Sequence, residues 1–522
     1  MKILDFFGKK PDVKVEAKKE FEPSFSASGT YNVLYSKSFN GEKTPGELGS
    51  PTEYTLDYYG LRLRAWKSYL DNENTQKIIN RYTTWVIGAG LKLQSEPIVD
   101  LLKEEGINVD FEKTSKKIDN YFKVWSKSSS VDYCGIDNLS RIANTVHRNT
   151  LIGGDTLVVL RLVDGKVKVS QYDGAEVQTP SIVSTLSEIT KRQSKIYNGV
   201  EYNSKGQIIA YYVRLDVGKY KRIKAKNNGL DVAFLVSGLK YRDSDKRGIP
   251  KVASILETLE KLDRYKEATV GSAEERAKIP YSIEHSDNST GENPFQQSMA
   301  KAYDIDSDLT PSIISDSELA SNVAATTGKQ VVNMPQGSTL KALESKAELQ
   351  FNDFYSANID SIASTIGMPP EVALSKYDSN FSASRAALKD WEHTLLVERT
   401  NFNFQFYQKI YNFWLYVNTL QNKINIPGYI TAVQTGDELV IESWQNARFI
   451  GATVPHIDPV KEVNAERLKL GKLAENLPLT TLEQATENLN SGDYSSNLLK
   501  YQKELIDSSE LLTTEENTQN EI

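Results

Sequence analysis

GIPKVASILETLEKLDRYKEATVGSAEERAKIP, residues 248–280, reads as one long helix. Pro250 stands at an early helical position, where its missing N–H costs little. Ile249, Val252, Leu256, Leu259 and Leu262 form one apolar stripe, and Glu and Lys fill the other faces. The run reaches about Ala277 and stops before Pro280, and Gly271 weakens its second half by roughly 1 kcal/mol relative to Ala. A second helix is predicted over Ser345–Ile366, with Leu349, Ile359, Ile362, Ala363 and Ile366 turned inward, and Gly367-Met368-Pro369-Pro370 ends it. Between the two helices, residues 280–342 change character. PYSIEH reads as a strand, a Ser/Asn/Gly/Asp-rich insertion follows, and TGKQVVNMPQGSTLKAL reads as two short strands around Pro335-Gln336-Gly337. Two helices carrying a small α/β tip make a stalk. The exposed flanks of a stalk call for neighbours, as in a ring.

The segments on either side differ in kind. Residues 54–247 read as α+β. A helical run begins at Tyr54 and breaks at Gly88-Ala89-Gly90, and LKLQSEP follows as a strand. Further helices are expected over Glu104–Ser126 and Leu139–Leu151, the latter stopped by Gly153-Gly154. Strands TLVVLRLV and KVKVSQY join through Asp164-Gly165, a strong hairpin signal, and Asp173-Gly174 is read as a second such turn. More strands are expected at Ile208–Val213 and Val232–Gly238. After the stalk, the loop Glu371–Phe381 carries Glu371, Lys376, Tyr377 and Asp378, with Ser382 as the N-cap of the next helix. That helix, Ser382–Asn418, holds Trp391, Phe402, Phe404, Phe406, Tyr407, Tyr411, Phe413, Trp414 and Tyr416. Apolar residues cover most of its circumference, so it must be buried in a core or against another subunit. Trp391, Phe402, Phe406, Phe413 and Trp414 are the nominated core or interface positions. The C-terminal part reads as helices, and the acidic tail is expected to fray.

Composition limits the chemistry. The 522 residues are 39% hydrophobic and 25% charged, an ordinary globular balance with room for several cores. Lys+Arg 62 against Asp+Glu 69 leaves a formal charge of -7, which argues against a basic grip on DNA. A single cysteine, Cys134, permits no internal disulfide and no multi-thiolate metal site, and no basic neighbour activates it. His147, His285, His393 and His456 lie far apart. No P-loop and no G-x-G-x-x-G occurs. Asp304–Asp308 begins like a calcium loop, but Leu309 and Ser315 occupy the positions that need Gly and Glu. No run of apolar residues is long enough to span a membrane, and the N-terminus is not a signal peptide. A cytosolic setting is expected, with no cofactor. No catalytic, cofactor-binding or metal-binding residue is nominated. The alternative reading is a nucleic-acid-processing enzyme with an unrecognised carboxylate metal site.

Six short motifs, in order, resemble the lambda-type portal proteins of tailed bacteriophages. They are NRYTTWVIGAGLKL at Asn80–Leu93, RNTLIGGDTLVVL at Arg148–Leu160, R-G-I-P at Arg247–Pro250, IASTIGMPP at Ile362–Pro370, FSASRAAL at Phe381–Leu388 and IDPVKE at Ile457–Glu462. The resemblance runs from about Tyr54 to Leu489 and departs at the arm, the tail and the insert Ser286–Thr327. It implies an α+β portal fold with an α/β wing, a two-helix stem, a small α/β clip and a helical crown. Residues 1–53 would be a flexible arm, 54–247 the N-terminal wing, 248–279 stem helix 1, 280–342 the clip and 343–367 stem helix 2. Residues 368–457 would hold the tunnel loop and the long aromatic wing helix, and 458–522 the crown and acidic tail. The resemblance further implies a homo-dodecameric ring at one vertex of a capsid, in the virion and, during assembly, in the host cytoplasm. Double-stranded DNA would pass through the ring. The large terminase, the head–tail adaptor, and the major capsid and scaffolding proteins would be its partners. It would be no enzyme and would need no membrane. Glu371, Lys376, Tyr377 and Asp378 would line the channel, Lys376 as a weak salt-sensitive phosphate contact and the carboxylates to keep DNA from sticking.

Overall fold

The computed structural model describes residues 37–39, 42–44, 58–180, 192–216, 218–242, 245–278, 281–285, 338–342, 351–374, 381–452, 459–471, 479–490 and 497–506, with 492, 494 and 508. Several expectations fall outside them: most of the arm, the Ser286–Thr327 insert, the first of the two strands around Pro335, Leu349, Ile457-Asp458, and Lys376, Tyr377 and Asp378.

Two units are distinct, Met1–Asp57 and Tyr58–Ile522. In the first, β1 (Lys37–Phe39) pairs antiparallel with β2 (Glu42–Thr44), Phe39 facing Glu42. The residues between are Asn40-Gly41, a dipeptide suited to a two-residue hairpin. The sequence reading found no strand here, because three-residue strands are too short to display a period of two.

The second unit opens with α1 (Tyr58–Asp71) and α2 (Glu73–Val86). Asn72 separates them, its side chain accepting from the amides of Asn74 and Thr75. Next come β3 (Lys92–Ser95), α3 (Val99–Glu104) and α4 (Phe111–Lys127). A single helix over Glu104–Ser126 was expected. Gly106 at φ 76° and the Asp110 cap, which accepts from the Lys113 amide, divide it. Helix α5 (Leu139–Gly153) follows and ends at Gly154.

β4 (Asp155–Val163) and β5 (Lys166–Asp173) form the expected hairpin. Asp164 and Gly165 both take positive φ, 50° and 69°, as a two-residue turn of matching twist requires. Asp173-Gly174 makes no second hairpin. The Asp173 carboxylate accepts from the Ala175 amide and closes a 3-10 turn over Gly174–Glu176 instead. β6 (Lys195–Tyr197), β7 (Val200–Tyr202), β8 (Ile208–Asp216) and β9 (Lys219–Lys224) make a four-stranded antiparallel sheet in that order. After the short pair β10 (Lys226–Asn227) and β11 (Leu230–Asp231), β12 (Ala233–Ser237) joins β4 and β5 in the order β12-β4-β5. Leu157, Val159 and Leu235 of this sheet meet Val200, Tyr211 and Val213 of the other in one apolar core. The first six residues of β4 are all buried, since α5 covers its second face.

A 3-10 turn, Lys251–Ser254, leads into α6 (Leu256–Lys278), so the long helix starts a turn later than Pro250 suggests. β13 (Tyr281–His285) pairs antiparallel with β14 (Ser338–Ala342). Helix α7 (Phe351–Thr365) packs on α6, with Phe354 4.3 Å from Tyr265, ring centre to ring centre. A short helix, α8 (Pro370–Leu374), occupies the first part of the expected loop. Helix α9 (Phe381–Phe402), a π-turn (Asn403–Tyr407) and α10 (Gln408–Leu420) continue one another. Ser382 lies inside α9 rather than capping it. Two short helices, Tyr429–Thr435 and Glu438–Gln445, precede β15 (Ala447–Ile450), which pairs antiparallel with β3. Helices Pro459–Leu470 and Leu482–Asn490 follow. Among the described residues, no helix is long and apolar enough to cross a membrane.

Candidate functional site at the start of the long helix

Two of the sequence motifs converge on one buried point. α5 ends at Gly153, Gly154 turns the chain at φ 92°, and β4 starts with Asp155. Arg247 immediately precedes Gly248-Ile249-Pro250 and the long helix. The Arg247 guanidinium grips the Asp155 carboxylate with two bonds, Nε to Oδ2 at 2.7 Å and Nη2 to Oδ1 at 2.8 Å. Both side chains are out of water, at 1% and 0% exposure. The remaining guanidinium hydrogens reach the carbonyls of Gly174 (2.6 Å), Val177 (3.0 Å) and Asn198 (2.6 Å), and the Tyr58 hydroxyl (2.5 Å). Asp155 also accepts from the Tyr58 hydroxyl at 2.6 Å and from the Gly248 amide at 2.9 Å. Arg62 continues the network. It donates to the Gly153 carbonyl, to Asp173 and to the Tyr58 hydroxyl.

Glycine is required where the two motifs touch. A Cβ on Gly248 would stand 2.0 Å from the Gly154 carbonyl oxygen, and one on Gly154 would stand 2.4 Å from the Gly248 carbonyl oxygen. The Gly238 amide donates to the same Gly154 carbonyl at 2.7 Å, tying in the end of β12. Burial alone would raise the Asp155 carboxyl. Arg247, with the Tyr58 and Gly248 donors, outweighs burial and holds it below the usual carboxylate range. Every strong donor and acceptor here is occupied by protein, so the node is a joint and not a reaction centre. It fixes α1, the α5–β4 turn, the 3-10 turn after β5 and the β6–β7 turn to the chain that enters α6.

A second polar cluster lies one step along. Lys251 donates to the Tyr82 hydroxyl at 2.5 Å and to Glu398 of α9 at 2.7 Å. His147 stacks beside Tyr82, contacts Phe402 edge-on and has Nδ1 3.2 Å from the Thr83 hydroxyl. Burial first, and then the Lys251 charge, lower its pKa from 6.5 to about 3. The folded chain therefore keeps His147 neutral while the unfolded chain protonates it. Between pH 6.5 and about 3 the unfolded state holds the extra proton, so stability falls as pH falls, by about 1.4 kcal/mol per pH unit. His147→Gln should remove that slope. Urea midpoints measured through this window check it, and an unchanged slope would locate the acid sensitivity elsewhere.

The nominated channel residues are only partly placed. Glu371 is half-buried in α8, beside the fully buried Val372 and Ala373. Lys77 and Arg81 of α2 donate to the carbonyls of Leu374 and Val372 at 3.0 Å each. Cations on the last carbonyls of a short helix hold that end of the loop. Among the core or interface nominees, Trp391, Phe402, Phe406 and Trp414 are buried within the subunit and Phe413 is half-buried. Asp155 and Arg247 stand inside two of the motifs, and nothing local in the sequence assigns either a role. The available signal was a charged residue opening the buried strand Asp155–Val163. Among the described residues, no group of three His, Cys, Asp or Glu side chains could hold a metal ion.

The family model described as "Phage portal protein, lambda family" matches residues 42–399. The chain belongs to this family of phage portal proteins. Both motifs of the node lie inside the matched region, which stops short of the IDPVKE segment. The family is structural and not enzymatic. Solved structures that match the chain include the neck of an empty GTA particle computed with C6 symmetry, at 10% identity and TM-score 0.45, covering 83% of this chain and 94% of that one. The neck of a native GTA particle computed with C12 symmetry is 12% identical with TM-score 0.35, covering 79% and 99%. An HK97-family phage portal protein from Corynebacterium diphtheriae is 10% identical with TM-score 0.28, covering 62% and 82%. No curated protein sequence matches the chain.

Proposed function

We propose that the chain is the subunit of a twelve-membered portal ring through which double-stranded DNA is packaged and ejected. The family match over residues 42–399 carries this reading. In it, 54–247 and 368–457 form the wing, 248–279 and 343–367 the stem, 280–342 the clip and 458–522 the crown. The clip meets the terminase motor and later the head–tail adaptor, and the wing sits among the capsid and scaffolding proteins. The Arg247–Asp155 node is then the joint that transmits force from wing to stem. Support for a neighbour comes from apolar side chains left in water on α9 and the π-turn that continues it, with Leu396 at 62% and Phe404 at 72% exposure. Leu63 of α1, at 72%, is a second such position. Two unlike faces on one subunit suit the head-to-tail contacts that close a ring.

Glu371, Lys376, Tyr377 and Asp378 are proposed as channel-facing, each repeated around the axis. Negative-stain imaging of the purified protein and of a variant lacking Ser375–Ser379 tests the whole reading. Both should form twelve-fold rings, because the deleted residues follow the clamped helix α8 instead of forming it. Particles built with the variant should retain less packaged DNA, because the constriction widens. Monomers with metal-dependent nuclease turnover would overturn the ring reading, and unchanged retention would overturn the loop assignment alone.

A further inference from the structure

The three-stranded sheet has both edges covered. On β5, the Tyr133 amide donates to the Val169 carbonyl at 2.9 Å and the Trp125 indole N–H to the Val167 carbonyl at 3.2 Å. On β12, the Ala233 amide reaches the Ala225 carbonyl at 3.1 Å and the Ser237 amide reaches Gln405 at 2.7 Å. The four-stranded sheet is treated differently at β9. Among the described residues, no strand pairs with its outer side. The Ala225 amide points to Ile209 of β8, and the register pairs Tyr211 with Ile223 and Val213 with Lys221. By alternation, Tyr220, Arg222 and Lys224 turn their N–H and C=O groups outward, away from β8.

The charge along this edge is one-sided. From Arg214 to Lys226 the sequence RLDVGKYKRIKAK holds six cations and one acid, in a chain of net charge -7. Arg222 is engaged with Glu201, a buried carboxylate, at 2.7 Å. Lys219 lies 4.0 Å from Asp216, and Lys226 lies 3.8 Å from Asp231. Arg214, Lys221 and Lys224 are exposed, with no ion-pair partner among the described residues. Lysines on an edge commonly deter pairing. A single sign of charge deters only like-charged strands, and it attracts an acidic one.

We propose that β9 is a strand-addition site for an extended acidic segment of a partner polypeptide. The backbone of Tyr220, Arg222 and Lys224 supplies the pairing, and Arg214 and Lys224 on one face of the sheet and Lys221 on the other meet the partner's carboxylates. The assignment does not depend on the ring reading.

The test uses the full chain and a short synthetic peptide of alternating Glu-Glu and Val-Val pairs, which presents Glu on both faces of the added strand. Two controls accompany it: the same peptide with Lys for Glu, and the Glu peptide N-methylated on alternate amides. The Glu peptide should bind, weaken with added salt and slow amide exchange at Tyr220, Arg222 and Lys224. Both controls should bind at least about tenfold more weakly, a difference of about 1.4 kcal/mol. The double variant Lys221→Glu/Lys224→Glu should show a similar loss with unchanged melting, since both side chains are exposed. Equal binding of the N-methylated peptide would reduce the edge to a charge patch and overturn strand addition, as would unaltered exchange at these amides. If removing residues 507–522 speeds exchange at β9 in the free protein, the occupant is the chain's own acidic end and the partner assignment falls.

Discussion

Arg247→Met is expected to cost about 3–5 kcal/mol of folding stability, because it leaves a buried carboxylate without its counter-charge. Asp155 is fully buried and would keep only the Tyr58 and Gly248 donors. The carbonyls of Gly174, Val177 and Asn198 would lose their guanidinium partner in the same step. The pH dependence should change with it. In the native chain the folded pKa of Asp155 is depressed, so its contribution is complete above the ordinary carboxylate value and is lost as pH falls through the lower folded value. Without Arg247, burial prevails and raises the folded pKa. The penalty is then largest at neutral pH and shrinks as acid protonates the carboxyl. Denaturant midpoints at neutral and mildly acidic pH should therefore bring variant and native protein closer together in acid. Adding Asp155→Asn to Arg247→Met should restore part of the loss, since contacting residues couple by roughly 0.5–3 kcal/mol. A loss under about 1 kcal/mol with no pH trend would mean that the node clamps nothing.

Trp414→Ala should have a comparable effect for an unrelated reason. The ring is 2% exposed, with the Phe122 ring 5.1 Å away edge-on and the Trp125 ring 5.9 Å away. Phe449 of β15 closes on Phe122 and Tyr411 from the side. Truncating a large aromatic in such a layer costs about 3–5 kcal/mol, the lost transfer energy plus a cavity its neighbours cannot fill. Phe413→Ala, at a half-buried position, should cost clearly less. Thermal melting of the two variants side by side gives the comparison. The same layer lies within one subunit, so chain stability should fall before any loss of assembly is seen. Equal melting of Trp414→Ala and native protein would contradict the packing described.

What could be read from the sequence followed the range of the interaction. Asp164-Gly165 announces its hairpin because both residues must enter left-handed backbone and little else can. Leu139–Gly153 announces itself through one helical stripe and a glycine stop. Asp173-Gly174 carries the same letters as a hairpin turn, yet its carboxylate finds the Ala175 amide first and makes a local cap. β15 was not anticipated at all. Four residues carry too little period, and its partner β3 is far away in the chain. Arg247 and Asp155 pair across 92 positions, and no local pattern joins them. The candidate site was thus visible as two separate motifs, and only folding showed them to be one object. Glu371 was nominated from a resemblance, and its place in a clamped helical turn came from Lys77 and Arg81, which belong to a different helix.

The π-turn at Asn403–Tyr407 makes the long helix a matter of angular phase. Each residue of an α-helix advances the side-chain direction by about 100°, and a π-turn accommodates one residue more than the regular spiral would. Upstream of it, Trp391, Leu395 and Phe402 point into the core, and downstream Phe406, Ile410 and Trp414 do the same. The turn takes up the extra residue and so keeps the second set in line with the first. Deleting Asn403 or Gln405 would keep every aromatic and let the stretch close as a regular α-helix with the two sets still in line, whereas deleting one residue from the regular helix on either side, between Trp391 and Trp414, would rotate the downstream set by about 100° relative to the upstream one. Either Trp391 or Trp414 would then have to leave the core. Between the two tryptophans a scan of single deletions would show intolerance broken by a window of tolerance at the π-turn, where a scan of substitutions shows only gradation.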